Sequence, residues 1–309
     1  GLSAPVLTGR FLSADHLAAV TVASYLLWFL ASLLTVVSVG ATALVARRIG
    51  SNERPAAERV CQQAVGMALA VGGLTLLVGW AVAPGLVVLM NLKGLSASAA
   101  VDFLRICLAV TPLLACTTVG IACLRGAGDT RTGMWVMVLV NAINVGLRWS
   151  LVRGFGPLPA LGFAGIAIGT AVAEGVGGLV VLAVLTRGRA GLRLDWSGVR
   201  PVWVEVRRIL RISLPAAGES LTNIICQLWF LSLINRLGPV ATAAHGVAIR
   251  CEAIGFLTIA AFSVPAATLT GQYLGADRVD LAARAARTAW GMGTAVLSAL
   301  GLVVYWQAG

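Results

Sequence analysis

Eight stretches of this chain are each long and apolar enough to cross a lipid bilayer. They lie near 21–46, 60–83, 99–124, 133–152, 162–186, 212–235, 242–271 and 286–307, with a ninth, shorter remnant at about 1–9. A helix rises about 1.5 Å per residue and the hydrocarbon layer is about 30 Å thick, so a crossing takes about 20 residues. No water is available there to pair with backbone N–H and C=O groups, so such runs are helical. The expected fold is an all-α polytopic membrane protein. Composition closes the alternatives: 59% of residues are hydrophobic and 11% charged, against about a quarter charged in a soluble domain. Disorder is excluded on the same ground. Trp80, Trp135, Trp149 and Trp306 stand at run ends, where indole rings suit the membrane interface.

The formal charge of +11 would suggest nucleic acid until its distribution is followed. Sixteen basic residues fall in four alternate connections: Arg47 to Arg59, Arg125 and Arg131, Arg187 to Arg211, and Arg278 to Arg287. The intervening connections hold one each: Arg10, Lys93, Arg153 and Arg236. This alternation places the Arg-rich connections on the cytoplasmic side. The charge is thus topological, and no nucleic-acid partner is expected. Catalytic signatures are also missing. The six cysteines form no C-x-x-C pair, His16 and His245 have no ligand-spaced neighbours, and there is no phosphate-binding loop. An enzyme, a metal site and a bound cofactor are not expected.

The chain aligns with itself, without gaps, at an offset of 225 residues. Ser38, Val39, Ala41, Leu44 and Gly50 recur as Ser263, Val264, Ala266, Leu269 and Gly275. Ala57, Arg59, Ala64, Gly66 and Met67 recur as Ala282, Arg284, Ala289, Gly291 and Met292. Six spans separate the copies, an even number, so the repeats are parallel, an arrangement of transporters whose path runs between two halves. The division is an N-lobe at 1–190, a cytoplasmic linker at 191–211 and a partial C-lobe at 212–309. A short helix over 201–211 is expected either to lie on the inner leaflet or to be part of a solvated basic linker. A second half of equal length would end at about residue 450.

Several stretches carry a resemblance: SVGATALVARRIG at 38–50, LRGAGDTRTGMWVMVLVNAINVGLRWSLV at 124–152, LGFAGIAIGTAVA at 161–173, LPAAGES at 214–220, and the segment 237–275. Together they resemble the multidrug and toxic compound extrusion (MATE) family of twelve-span antiporters. The resemblance implies two parallel six-span repeats, of which about eight or nine spans are here, in a chain truncated at both ends. It implies alternating access and export of amphiphilic or cationic compounds in exchange for H+ or Na+. The partners expected are the bilayer and a small substrate, with a monomer in a bacterial inner membrane. Two other readings remain open: a flippase for lipids or lipid-linked precursors, and a non-transporting remnant.

Ionisable residues inside spans are costly and need a reason. Glu219 and Glu252 match glutamates common in the related bacterial branch. Either can exchange a proton or attract a cation, or instead serve as a structural partner, as Glu252 would for Arg250 or Arg211. Glu174 lies mid-span, where it either lines the first lobe's cavity as a coupling-ion or substrate-binding residue or pairs structurally with Arg148. Asn141 and Asn144 match family asparagines and either offer carbonyl oxygens to a cation or bridge helices. Two departures stand out: Arg148 and Ala4 occupy positions where the family's first-lobe acidic residues would fall. That shifts the coupling burden to Glu219 and Glu252. Asp129 is expected to cap the helix after a Gly-containing turn, Asp102 to pair with Arg105, and Pro112 and Pro265 to kink their spans.

Overall fold

The computed structural model describes residues 14–90, 94–154, 161–199, 201–236 and 239–308. Among them are nine α-helices: α1 (Ala14–Gly50), α2 (Arg54–Leu89), α3 (Gly94–Leu108), α4 (Thr111–Gly126), α5 (Thr130–Arg153), α6 (Gly162–Thr186), α7 (Trp203–Arg236), α8 (Pro239–Gly275) and α9 (Val279–Ala308). No strand occurs among the described residues. The expected remnant at 1–9, with Ala4, lies outside them. By length and composition α2, α5 and α6 can each cross a bilayer, as can α3 and α4 taken together. α1, α7, α8 and α9 run for 37, 34, 37 and 30 residues, more than a crossing needs.

One expected span is broken. α3 and α4 meet at a 51° bend, and Pro112 sits in the first turn of α4. Proline has no N–H for the carbonyl of Leu108 and its ring crowds that carbonyl. The Thr111 hydroxyl takes over, donating to the Leu108 oxygen at 2.7 Å. Pro84, Pro215 and Pro265, by contrast, lie inside helices that continue through them.

Helices α1 to α6 pack closely. Val60, Val65, Leu124 and Leu185 lie fully buried in one apolar cluster, and Val20, Val87, Leu104 and Ile166 in a second. α6 presents Gly165, Gly169, Ala173 and Gly177 at four-residue steps. A side chain at Gly165 would meet the Leu151 backbone at 2.9 Å, and one at Gly169 the Arg148 nitrogen at 3.0 Å. Small residues at this spacing let two membrane helices approach to backbone distance, which is where their attraction comes from.

The four Arg-rich connections gather at one end of the bundle. Asp129 caps α5 as expected: its carboxylate accepts from the Thr132 N–H at 3.0 Å and hydroxyl at 2.6 Å, after Gly128 turns the chain at φ +93°. The same carboxylate accepts from Arg189 Nε at 3.0 Å, tying the α4–α5 turn to the α6–α7 connection. Burial would raise the Asp129 carboxyl, but the Thr132 and Arg189 donors outweigh it and hold the group below the ordinary carboxylate range. The α6–α7 connection docks on α2. Gln63 donates to the Gly198 carbonyl at 2.7 Å and accepts from the Val202 N–H at 2.8 Å, and Glu58 accepts from the Arg193 N–H at 3.2 Å.

The short helix expected over 201–211 is not separate. Residues 203–211 are the opening turns of α7, which runs unbroken across the boundary drawn at 211. No glycine or proline stands between Trp203 and Leu214 to end it. Val206, Ile209 and Ser213 bury one face of these turns.

The internal repeat is visible in backbone detail. After α1, the N–H groups of Ser51, Asn52 and Glu53 donate to the carbonyls of Arg47, Ile49 and Arg48. After α8, those of Ala276, Asp277 and Arg278 donate to Gln272, Leu274 and Tyr273. Every pair is offset by 225. The non-glycine residues Asn52 and Asp277, related by the same offset, have φ of +59° and +55°. Asn and Asp are the side chains that tolerate this conformation best.

Candidate functional site

In the first lobe the ionisable residues lie between α5 and α6. These helices run antiparallel, with Val140 against Gly177, Arg148 against Gly169 and Leu151 against Gly165. That register sets Glu174 level with Ile143, beside Asn144 in the chain. Arg148 is 5% exposed. Its Nε and Nη2 donate to the Thr170 hydroxyl at 3.1 and 2.7 Å, and that hydroxyl donates onward to the Ile166 carbonyl at 2.7 Å. Glu174 lies one helical turn beyond Thr170 on the same face, and Arg148, Glu174 and buried Cys107 act on one another electrostatically. Asn144 is half-buried. Asn141 is exposed and its amide donates to the Met137 carbonyl of its own helix at 2.7 Å.

One sequence expectation is incomplete here and one fails. Thr170, rather than Glu174 alone, receives the Arg148 guanidinium. No sequence signal pointed to it, because hydroxyls mid-helix usually bond their own backbone and the α5–α6 register is set only by the fold. Asp102 and Arg105 do not pair. Arg105 lies over the Trp80 ring at 5.5 Å to the centroid instead, and Asp102 is exposed. An exposed i,i+3 pair contributes only a few tenths of a kcal/mol, roughly 0.2–0.5. An aromatic face on the neighbouring helix can exceed that where water is scarce.

In the second lobe, Glu219 stands on α7 one turn after Pro215, and Glu252 on α8. Both are exposed, and no ion pair joins either to a described side chain, Arg211 included. The side chain of Arg250 lies outside the described residues. α7 and α8 touch through Phe230 and His245, whose rings meet edge to face at 5.4 Å. From Gly218 onward α7 exposes Leu221, Ile225, Trp229 and Phe230.

The lobes meet at the Arg-rich end. The Gln272 amide of α8 donates to the Gly126 carbonyl at the end of α4, at 3.0 Å. The Ser213 hydroxyl of α7 fits against Gly40 of α1. Beside this junction is a cavity of about 440 Å³ whose lining includes Arg47, Arg48, Arg208, Glu53 and Asp277. Two of those arginines are already committed, Arg48 to Glu53 and Arg208 to Glu205. Among the described residues no group of three His, Cys, Asp or Glu side chains could hold a metal ion.

The MatE family model matches residues 4–150 and 215–309. A probable multidrug resistance protein NorM of Thermotoga maritima is 29% identical over 282 residues, covering 90% of this chain and 60% of the relative. An FAD transporter of Shewanella oneidensis is 27% identical, covering 89% of this chain and 61% of that one. The chain therefore spans about three-fifths of the length of these relatives. A crystal structure of MATE in complex with MaD3S superposes with a TM-score of 0.84 at 23% identity, over 98% of this chain and 67% of that one. An outward-facing multidrug resistance MATE family transporter superposes at 0.82 and 22% identity, over 98% and 66%. At these identities the superpositions establish the fold.

Proposed function

The chain belongs to the MATE family, as a multi-pass membrane protein of all-α fold, and on that premise we propose that it serves as a secondary active transporter rather than an enzyme. It exports amphiphilic or cationic compounds across a bacterial inner membrane in exchange for H+ or Na+, by alternating access between its lobes, and it works as a monomer. The observation that carries this reading is the division of ionisable residues between the lobes. The first lobe answers its buried cation internally, through Thr170 and the nearby Glu174. The described part of the second lobe leaves Glu219 and Glu252 exposed and outside any ion pair with a described side chain. A carboxylate without a fixed counter-charge is free to take a proton or a cation in turn.

Glu219 is accordingly the principal coupling group and Glu252 the second. Arg148 keeps Na+ out of the first lobe by repulsion, while Asn141 and Asn144 line the substrate side of α5. No cofactor is needed beyond the coupling ion. The relatives' names, multidrug resistance protein and FAD transporter, support a transported solute without fixing which one.

The test is efflux of a cationic dye from cells or vesicles, comparing the parent with Glu219→Gln. Loss of efflux, with loss of its pH dependence, is expected. Unchanged efflux with an unchanged pH profile would remove Glu219 from the mechanism. A lipid-flippase reading draws support from one observation, the buried Arg148, because a guanidinium suits a phosphate headgroup. Scrambling of labelled lipid without dye export would favour it.

A further inference from the structure

The contact between the two repeats is symmetric at the level of single atoms. A Cβ on Gly50 of α1 would stand 1.9 Å from the carbonyl oxygen of Gln272 on α8. A Cβ on Gly275 of α8 would stand 2.0 Å from the carbonyl oxygen of Arg47 on α1. Gly50 and Gly275 are related by the 225-residue offset, and so are Arg47 and Gln272. Each glycine thus meets the residue three positions before its own counterpart. Between them, Ala46 faces Gly271, its own repeat equivalent, at 2.9 Å from where a Cβ would be. This is the reciprocal pattern of a two-fold contact, and it puts the pseudo-two-fold axis through the inner ends of α1 and α8.

The contact is backbone on backbone, which makes it all-or-none. Side chains at an ordinary interface can change rotamer to absorb added bulk, but a carbonyl in a helix cannot. One methyl group at either glycine would force the helices apart by about 1 Å. The junction also holds polar groups that gain nothing from being closed. The hydroxyl of Ser213, fully buried against Gly40, has no hydrogen-bond partner among the described residues. Nor has that of Thr268, buried on α8 one turn before Gln272. Water entering between the lobes would satisfy both.

We infer that Gly50 and Gly275 form a backbone latch closing the inner end of the path between the lobes, and that the unpaired hydroxyls of Ser213 and Thr268 keep it poised to open. The close fit favours the closed state, and the buried hydroxyls offset part of that preference. This inference rests on the transport reading for its purpose, but not for its test.

The test uses Ser213→Cys as a near-isosteric reporter in the chain carrying Cys226→Ser and Cys251→Ser; Cys61, Cys107, Cys116 and Cys123 are buried. A membrane-impermeant maleimide is supplied at the inner face of inverted vesicles. Slow labelling is expected in the parent. Gly50→Ala and Gly275→Ala should each raise the rate about tenfold, as a minor open conformer becomes a major one. Alanine is the better helix former, so loss of the helix would not be the cause. Thr268→Val should slow labelling below the parent by removing an orphan hydroxyl. Gly146→Ala, where a Cβ meets nothing within 4 Å, should leave it unchanged.

Parental labelling rates in both glycine variants would overturn the latch. So would a parent that already labels as fast as they do. If the glycine variants do not fold, failure of Thr268→Val to slow labelling overturns it. If labelling responds as expected while the parent exports no dye, the transport reading fails and the latch stands. If the glycine variants lose dye export while labelling stays parental, the latch fails and transport stands.

Discussion

The first lobe and the described part of the second come from one repeat, yet they dispose of their surfaces differently. In α2 and α4 to α6, Gly72, Gly120, Gly133, Gly165 and Gly178 leave no room for a Cβ, because a neighbouring helix fills the space, while Gly73, Gly85 and Gly146 of the same helices are open. In α7 to α9, Gly218, Gly291 and Gly301 have nothing within 4 Å of such an atom. The crowded glycines of the second lobe, Gly271 and Gly275, are crowded by α1. Close packing inside one lobe and at the inter-lobe contact therefore coexists with open apolar faces on α7 to α9, which supply only three of the repeat's six spans. The ionisable residues follow the same division. Where helices pack to backbone distance, Arg148 is provided with Thr170 and Glu174; where they do not, Glu219 and Glu252 form no ion pair with a described side chain.

That comparison breaks first at Arg148. Arg148→Met leaves Glu174 beside no guanidinium and is expected to destabilise the chain by about 3 kcal/mol, the scale for removing one member of a buried charged set. Adding Glu174→Gln should recover most of the loss. Glu219→Gln should change stability by less than about 0.5 kcal/mol while stopping efflux. Thermal unfolding in one detergent, followed by helical circular dichroism, checks all three. A stability loss at Glu219 as large as that at Arg148 would erase the distinction between structural and exchangeable charge.

The next effect is steric. Gly169→Leu drives a branched side chain into the Arg148 backbone, where a Cβ alone would stand at 3.0 Å from the nitrogen. The cost of overpacking is about 1–3 kcal/mol. Gly218→Leu enters open space and should be neutral in the same measurement. Smaller again is Gln63→Ala. It strips the Gly198 carbonyl and the Val202 N–H of their side-chain partner, at about 1 kcal/mol. Faster proteolysis of the α6–α7 connection should accompany it, since that connection docks on α2 through this residue.

How much of this the sequence disclosed depends on the range of the interaction. The spans were legible because twenty apolar residues have one use. The matching turns at Asn52 and Asp277 were legible because the offset alignment ran through them without a gap. The Asp129 cap was legible because its partner lies three residues away. Thr170, Trp80 and Gln272 were not, since each meets its partner across a helix interface whose register only the fold sets. Pro112 was read as a kink and is one; Pro265, read the same way, lies in a helix that continues. At Pro112 a hydroxyl stands ready to satisfy the freed carbonyl, and proline itself does not encode that. The latch was half legible: Gly50 and Gly275 were visible as a repeated pair, but not that each meets the other's helix.

The smallest effect compares the two inner turns by pH. In the first lobe Asp129 accepts three hydrogen bonds, and its carboxyl is held below the ordinary range by the Thr132 and Arg189 donors despite burial. A folded-state value below the unfolded one, about 3.9, means that the unfolded chain binds the proton more readily. The stabilisation is then complete above the unfolded value and is lost as pH falls through the folded one. At the second lobe's turn, Asp280 forms only an exposed contact with Arg278 at 3.6 Å, a kind of pair worth roughly 0–1 kcal/mol. Asp129→Ala should therefore cost about 1 kcal/mol at neutral pH, and the difference from the parent should shrink once pH falls below the ordinary carboxylate range. Asp280→Ala should cost less at neutral pH. Unfolding midpoints of the three chains, taken at neutral pH and again at about pH 3 to 4, supply the check. An Asp129→Ala deficit that stays constant to the acid limit would mean that the cap's geometry, and not its charge, holds the α4–α5 turn.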